Sequence, residues 1–509
     1  MKITQGLRRA AQIRPAAKAA ICNGREKSWP ETLDRVSRLA GGFGRAGLKS
    51  GDRIALLMSN SDYYFEGMLA IMWAGAVMVP LNTRWSATEI DDALNDCGAV
   101  ALIVSDDFVT LASMLSWRGL RLLTGAIARP GLAGVEEMIA DAFAVPDAPA
   151  NPDDLAAIFY TGGTTGRSKG VMLCHRNLAA SAHAALAEGL YGEQTTYLHV
   201  APMFHIADAS AVCALTLSAG TSVFLARFDP RAVCEAISEH AVTEIMLVPA
   251  MIQRLVTDHE VSTYDLRSLQ TIIYGASPIS DALLSQATER FGGARWVTAY
   301  GMTELSPTAT FLSDRSRTGP QGRGDRGRSV GRAVIGCEVR IVDADGAEAP
   351  RGSVGQIVVR GDNVMLGYWN RPEETAAALI EGWMQTGDGG WMDDDGFVFI
   401  ADRLKDMIIS GGENIYSVEV ENAAASFPGL IECAVIGIPH ALWGEAVHLI
   451  AVVEAGAGIA AADLVDHCRS RLAGYKCPRS VELRTDPLPR SSAGKVLKAL
   501  IRQSCLSQA

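Results

Sequence analysis

Leu155-Ala-Ala-Ile-Phe-Tyr160 runs directly into Thr161-Gly162-Gly163-Thr164-Thr165-Gly166-Arg167-Ser168-Lys169-Gly170. A short apolar run that ends in glycines reads as a buried strand. The ten residues after it have the composition a polyphosphate requires. Glycines let backbone N–H groups approach and point inward, hydroxyls add donors, and Lys169 supplies positive charge. The Gly-x-x-x-x-Gly-Lys-Ser/Thr spacing of a Walker A loop is absent, so this is a phosphate loop of another kind.

On both sides of this stretch, apolar runs of strand length recur at Arg53–Met58, Ala99–Val104, Thr221–Leu225, Glu244–Val248 and Thr271–Tyr274. Helical patterns at Asp62–Ala74, Asn177–Glu188 and Pro230–Glu239 lie between them. Such alternation predicts an α/β domain with largely parallel sheets. Ser313–Ser329 carries five arginines, is rich in glycine and has no apolar period, so it reads as an exposed, solvated connection. Short strands at Glu338–Val342, Gly355–Arg360 and Gly396–Ile400, separated by turn residues, predict a β-rich subdomain over about 330–400. A second α/β texture comes next, with strands at Cys433–Gly437 and Val447–Val453, and helices at Ser417–Ala425, Ala461–Leu472 and Val496–Arg502. The expected division is a large domain over 1–404 and a small, mobile α+β domain over 405–509.

A chain of 509 residues is long for one core, which agrees with that division. Its net charge of −11 argues against a nucleic-acid binder, because phosphate backbones need a basic field. The ten cysteines form no Cys-x-x-Cys pair, which speaks against a zinc site or disulfide framework and for a reducing cytoplasm. Met1–Ala20 is basic and reads as a surface helix leading into the first strand rather than as a transit peptide. Met68–Leu81, the most apolar stretch, runs about 14 residues, short of the roughly 20 a membrane span requires. It reads as a buried helix passing into a strand.

The phosphate loop resembles that of the acyl-adenylate-forming superfamily, which includes acyl-CoA synthetases, luciferases and peptide-synthetase adenylation domains. The usual form is Tyr-Thr-Ser-Gly-Thr-Thr-Gly-x-Pro-Lys-Gly. Here a glycine of the pair Gly162-Gly163 replaces the serine, and Ser168 replaces the proline. Further motifs of the family occur in its order. They are Tyr274-Gly275-Ala276-Ser277-Pro278, Tyr300-Gly301-Met302-Thr303-Glu304, Thr386-Gly387-Asp388, Asp402-Arg403-Leu404-Lys405-Asp406, Ser410-Gly411-Gly412-Glu413-Asn414-Ile415 and Pro489-Arg490-Ser491-Ser492-Ala493-Gly494-Lys495.

The resemblance implies an AMP-forming acid–CoA ligase using ATP, Mg2+ and coenzyme A. By it, Thr161, Gly162, Gly163, Thr164, Thr165, Gly166 and Lys169 cradle the phosphates, and Gly275, Ala276 and Ser277 hold adenine against the backbone. Tyr300 stacks on adenine beside Gly301, Thr303 donates to the α-phosphate, and Glu304 with Thr165 holds the metal. Asp388 accepts the ribose hydroxyls and Arg403 contacts ribose and phosphates. Lys495 is the adenylation lysine, and Lys405 is the hinge. Gly411 and Gly412 pass the pantetheine of coenzyme A, with Trp443 packing near it. Ser417 stands where proline is common, a change expected to be mild.

Pro202-Met203-Phe204-His205 resembles the segment whose histidine borders the acyl tunnel. Gly301 stands where acetate-specific relatives carry tryptophan, which implies an acid larger than acetate. Ala207, Ala299, Gly301 and Thr308 are the expected pocket lining, suited to a medium-to-long fatty or arylalkanoic chain. Asp208 reads as a helix cap or a polar pocket residue. Two other readings stay open: a stand-alone adenylation enzyme loading a carrier protein, and an inactive nucleotide- or acyl-CoA-binding protein. Monomer and homodimer are both open.

Overall fold

The computed structural model describes residues 1–509 except 125–132, 162–167, 278, 314–325, 404–405, 455, 491–494 and 508–509. In the first sheet, six strands run parallel in the order Arg295–Gly301, Thr271–Gly275, Glu244–Leu247, Thr196–His199, Thr221–Phe224 and Lys18–Cys22. Thr308–Ser313 and Arg332–Ala333 extend it antiparallel at one edge, and Arg25–Ser28 at the other. A second sheet has Ala133–Gly134, Leu120–Leu123, Ala101–Val104, Arg53–Leu57, Val77–Pro80 and Leu155–Thr161 in parallel. Lys169–Cys174 and Gly367–Tyr368 continue it antiparallel. The alternation read from the sequence therefore closes into two doubly covered sheets.

The helices Asp62–Trp73 and Ile206–Ser218 are buried along almost their whole length. They share one core with residues of both sheets, among them Leu56, Phe159, Tyr197 and Val297. A helix apolar on every face is one covered on every face. The helix-then-strand reading of Met68–Leu81 holds, with the strand at Val77–Pro80. The N-terminal helix Thr4–Ile13 leads into Lys18–Cys22 as expected, and its inner face, Leu7 and Ala10, is sealed. A Cβ at Gly6 would lie 2.7 Å from the Thr216 carbonyl, so only glycine permits this contact with the helix Ile206–Ser218. Among the described residues no helix is long and apolar enough to cross a membrane.

A third sheet is antiparallel throughout, with Cys337–Val342, Gly355–Gly361, Trp383–Met392, Leu379–Ile380 and Val398–Arg403. It corrects one expectation. Residues 314–325 lie outside the described residues, but Arg326, at the far end of the expected solvated connection, is buried. Its guanidinium pairs with Asp395 and Asp393 and lies 4.3 Å from the Phe397 ring centre. An arginine with two carboxylates and an aromatic face to satisfy it can be buried where a solvated one would not be.

The fourth sheet belongs to the small C-terminal domain: Glu413–Ile415, Ile408–Ser410, Gly444–Val453 and Leu430–His440, with Ser480–Arg484 parallel to Gly444–Val453. The last helix starts at Lys498, not Val496. Val496 is held in a bridge with Arg490, and the Leu497 amide donates to the Pro489 carbonyl, so both are committed before the helix begins.

Candidate active site

Tyr300 is the penultimate residue of the strand Arg295–Gly301. Its hydroxyl donates to Asp388 Oδ2 at 2.8 Å, although 88 residues separate the two. Arg403 lies directly across from Asp388 in the antiparallel register of the third sheet, and its Nε sits 3.1 Å from Asp388 Oδ1. Both carboxylate oxygens thus have fixed partners within the protein. Burial and the neighbouring Asp388 charge push the Tyr300 phenol well above its ordinary pKa, so it stays a donor.

Glu304 lies in the short turn Thr303–Leu305 beyond Tyr300 and is buried. Burial raises its pKa, while a hydrogen bond from Tyr368 and the charges of Lys495 and Arg403 pull it back. The Tyr368 hydroxyl donates to Glu304 Oε1 at 2.8 Å, and the Lys169 ammonium lies 5.0 Å from the Tyr368 ring centre. Tyr368 therefore joins the phosphate-loop lysine to the buried carboxylate. Sequence reasoning missed it. Its strand is two residues long, and the only local signal was an aromatic residue after Gly367.

Thr161 and Lys169 face each other across the base of the phosphate hairpin, with Thr161 Oγ1 3.5 Å from the Lys169 carbonyl. Gly162, Gly163, Thr164, Thr165 and Gly166 lie outside the described residues, as does the hinge candidate Lys405. Gly275 ends its strand under the Ala299 carbonyl, which a Cβ would approach to 2.3 Å. Ala276 holds φ +68°, a left-handed conformation that a non-glycine residue adopts only where its surroundings impose it. Ser277 comes next, half-buried. Thr303 is half-buried beside Glu304.

Lys495 directly precedes Val496, which bridges to Arg490, and its charge bears on Glu304. The opposite character marks the Gly411–Gly412 pair. It forms the two-residue turn between Ile408–Ser410 and Glu413–Ile415, with φ +62° and +89°. Two successive left-handed residues are what a tight hairpin of this kind demands. The Gly411 amide donates to the Trp443 carbonyl at 2.9 Å, which joins the predicted coenzyme A residues. Trp443 stacks on His440 at 4.2 Å and lies under Arg479 at 4.7 Å.

For the acyl pocket, Gly301 pairs with Thr308 across the hairpin, and a Cβ at Gly301 would stand 2.0 Å from the Pro307 carbonyl oxygen. Glycine is thus required by the backbone itself. Ala207 and Ala299 are partly buried against the same core, and His205 caps the buried helix Ile206–Ser218 with its ring against Phe204 at 4.5 Å. Asp208 is neither a helix cap nor a pocket residue. It is fully buried, accepts from Tyr197 at 2.9 Å, and pairs with His199 at 2.8 Å. His199 in turn meets Ser222 at 3.2 Å. This Ser–His–Asp geometry has no solvent access at any member, so it is core polarity rather than a hydrolytic triad.

Among the described residues, His448, Glu482 and Cys505 bring potential metal ligands within 4.8 Å of one another. The Arg484 guanidinium already sits on Glu482, so that group contains its own cation. The Glu304 site differs, because a buried carboxylate joined through Tyr368 to Lys169 has the hard oxygen donors that suit a divalent ion.

The fold and site define a two-domain α/β protein in which Tyr300, Asp388, Arg403 and Glu304 are gathered on the large domain and the charge of Lys495, from the small domain, bears on Glu304. Residues 7–369 match the AMP-binding enzyme family and 419–495 match the AMP-binding enzyme C-terminal domain. A feruloyl-CoA synthase of an Amycolatopsis species is 40% identical over 497 residues, covering 97% of each chain. A fatty acid–acyl-carrier-protein ligase of Streptomyces coeruleorubidus is 33% identical, covering 97% of this chain and 94% of its own. The crystal structure of ATP-bound MatB from Rhodopseudomonas palustris superposes with a TM-score of 0.88 at 31% identity, covering 99% of each chain. The chain belongs to the AMP-binding enzyme family, in its AMP-forming acid–CoA ligase branch.

Proposed function

We propose that this ligase activates an acid larger than acetate, with an aryl-substituted propenoic or propanoic acid as first choice and a medium-to-long fatty acid as second. The observation that carries the adenylation chemistry is the Tyr300–Asp388–Arg403 constellation, with the charges of Arg403 and Lys495 both bearing on Glu304. The 40% identity with feruloyl-CoA synthase supports an aryl acid.

The carboxylate oxygen attacks the α-phosphorus of ATP, and the bond to the β-phosphate oxygen breaks to release pyrophosphate. Both partners are anionic, so the site must neutralise charge and align them. Tyr300 stacks on adenine, while Asp388 takes the ribose hydroxyls and shares its oxygens with Arg403 and Tyr300. Lys169, Thr303 and Lys495 meet the phosphates. Mg2+ held by Glu304, with Thr165 as a further ligand, would supply additional neutralisation of the triphosphate. In the second step the thiolate of coenzyme A, having lost its proton to solvent, attacks the acyl carbon and AMP leaves. The thiol approaches along Gly411, Gly412 and Trp443, and His205 borders the acyl channel. Rotation of the 405–509 domain about Lys405 alternates the two faces. A cytoplasmic location suits the ten unpaired cysteines.

The 33% identity with a carrier-protein ligase favours one second reading, in which a carrier's pantetheine arm replaces coenzyme A. Pyrophosphate release across a panel of aryl-propenoic, fatty and amino acids, with and without coenzyme A, tests both. Release with aryl acids and coenzyme-A-dependent AMP formation is expected. No release with any acid would overturn the reading, and AMP formation only with a carrier protein would replace it by the second.

A further inference from the structure

Ser417 occupies the place where the family commonly has proline, and the structure gives that departure a use. Ser417 is fully buried at the first position of the helix Ser417–Ala425, and Asp402, at the end of the third sheet, is 3% exposed. The Ser417 amide and hydroxyl both donate to Asp402 Oδ2, the hydroxyl at 2.5 Å. On the far side Lys498 donates to the Ser417 hydroxyl oxygen and pairs with Glu421 at 2.7 Å. The carboxylate thus satisfies an amide that a helix start leaves without an internal partner and lies at the positive end of the helix dipole. A proline would supply neither donor, and the path from Asp402 to Lys498 would be cut.

We propose that Ser417 is a positioning residue, the centre of an Asp402–Ser417–Lys498–Glu421 latch that holds the small domain in the arrangement competent for adenylation. One end of the latch adjoins Arg403, which grips Asp388. The other end is Lys498, three residues beyond Lys495, whose charge reaches Glu304. The latch therefore fixes the distance between the two halves of the adenylation site. Asp402 and Ser417 lie on opposite sides of residues 404–405, so rotation there must separate them before the thiol-accepting face can be presented. The latch favours the first half-reaction at the expense of the change to the second. This rests on the two-step ligase reading.

The test measures both half-reactions separately: ATP–pyrophosphate exchange with an accepted acid, and thioester formation from supplied acyl-adenylate and coenzyme A. Ser417→Pro is expected to lower exchange about tenfold, the scale of lost charge-assisted hydrogen bonds, and to leave thioester formation within about twofold. Ser417→Ala, which keeps the amide donor, falls between, and Ser417→Thr, which keeps both donors, restores the wild-type ratio. If Ser417→Pro does not fold, the Ala and Thr variants decide. Equal losses in both half-reactions, or an unchanged ratio, would overturn the latch while leaving the ligase reading intact. An unsubstituted enzyme without exchange for any acid would overturn that reading and the latch with it.

Discussion

The proposed nucleoside face of the large domain and the proposed thiol face of the small domain are built on opposite plans. At the first, Tyr300, Asp388 and Glu304 are buried, and each has a hydrogen-bond partner in place. At the second, Gly411 and Gly412 form an exposed left-handed turn, and the neighbouring Leu442 is 83% exposed. On the proposed chemistry, the first site is preorganised to meet charge that develops in an anionic transition state. The second only has to guide a flexible arm past a backbone with no side chains in the way. On the proposed reading, electrostatic work falls to one domain and passage to the other, with Lys495 contributed by the small domain to the first plan.

Substitution of Lys495 strikes the comparison hardest. Lys495→Ala should lower adenylation about 10³-fold while thioester formation from supplied acyl-adenylate stays within a few-fold. Equal loss of both, measured by exchange and by thioester assay, would erase the division of labour. Next comes the rigidity of the large domain, read through its acid sensitivity. His175 is buried, and desolvation pushes its pKa down to about 4. As pH falls below about 6.5 the unfolded chain takes up a proton that the folded one refuses. Stability is therefore present above that pH and lost between about 6.5 and 4, by about 3 kcal/mol in total. Denaturant titrations should show that slope and show it flattened in His175→Phe.

Gly301→Ala forces a Cβ onto the Pro307 carbonyl and should cost about 2 kcal/mol in the same titrations. Unchanged stability with a merely narrowed acid range would mean that residue 301 faces open pocket. The smallest effect belongs to the thiol face. Trp443→Ala should raise the coenzyme A concentration for half-maximal thioester formation about fivefold, the scale of one aromatic contact, without touching exchange. A fall in exchange instead would show that this face serves adenylation too.

The parallel sheets were legible because their strands carry apolar runs such as Ile245–Leu247 and Ala101–Val104, buried at every position. Lys169–Cys174 was hidden because it begins inside the phosphate motif, and Gly367–Tyr368 because two residues carry no period. The same rule governs the site. Tyr300 to Glu304 and Thr386 to Asp388 are local strings whose chemistry can be read in order. The links between them are not local: Tyr368 meets Glu304 across 64 residues, and Lys498 meets Ser417 across 81. Spacing along the chain holds no trace of such contacts, which is why the serine at 417 read as mild. Arg326 was misread for a related cause, because its partners Asp393 and Asp395 come from another part of the chain.

The close approach of the Pro307 carbonyl to Gly301 also sets an order on sequence change. A descendant of this chain selected for a smaller acid cannot begin by filling position 301, since even a methyl group there meets the returning backbone. The Ser306–Thr308 return has to shift first, through changes with no benefit of their own, before a bulky residue at 301 becomes tolerable. Partly exposed residues, such as Ala207, offer the shorter route. The acid range of this lineage should drift through the helix Ile206–Ser218 sooner than through the motif that carries Tyr300.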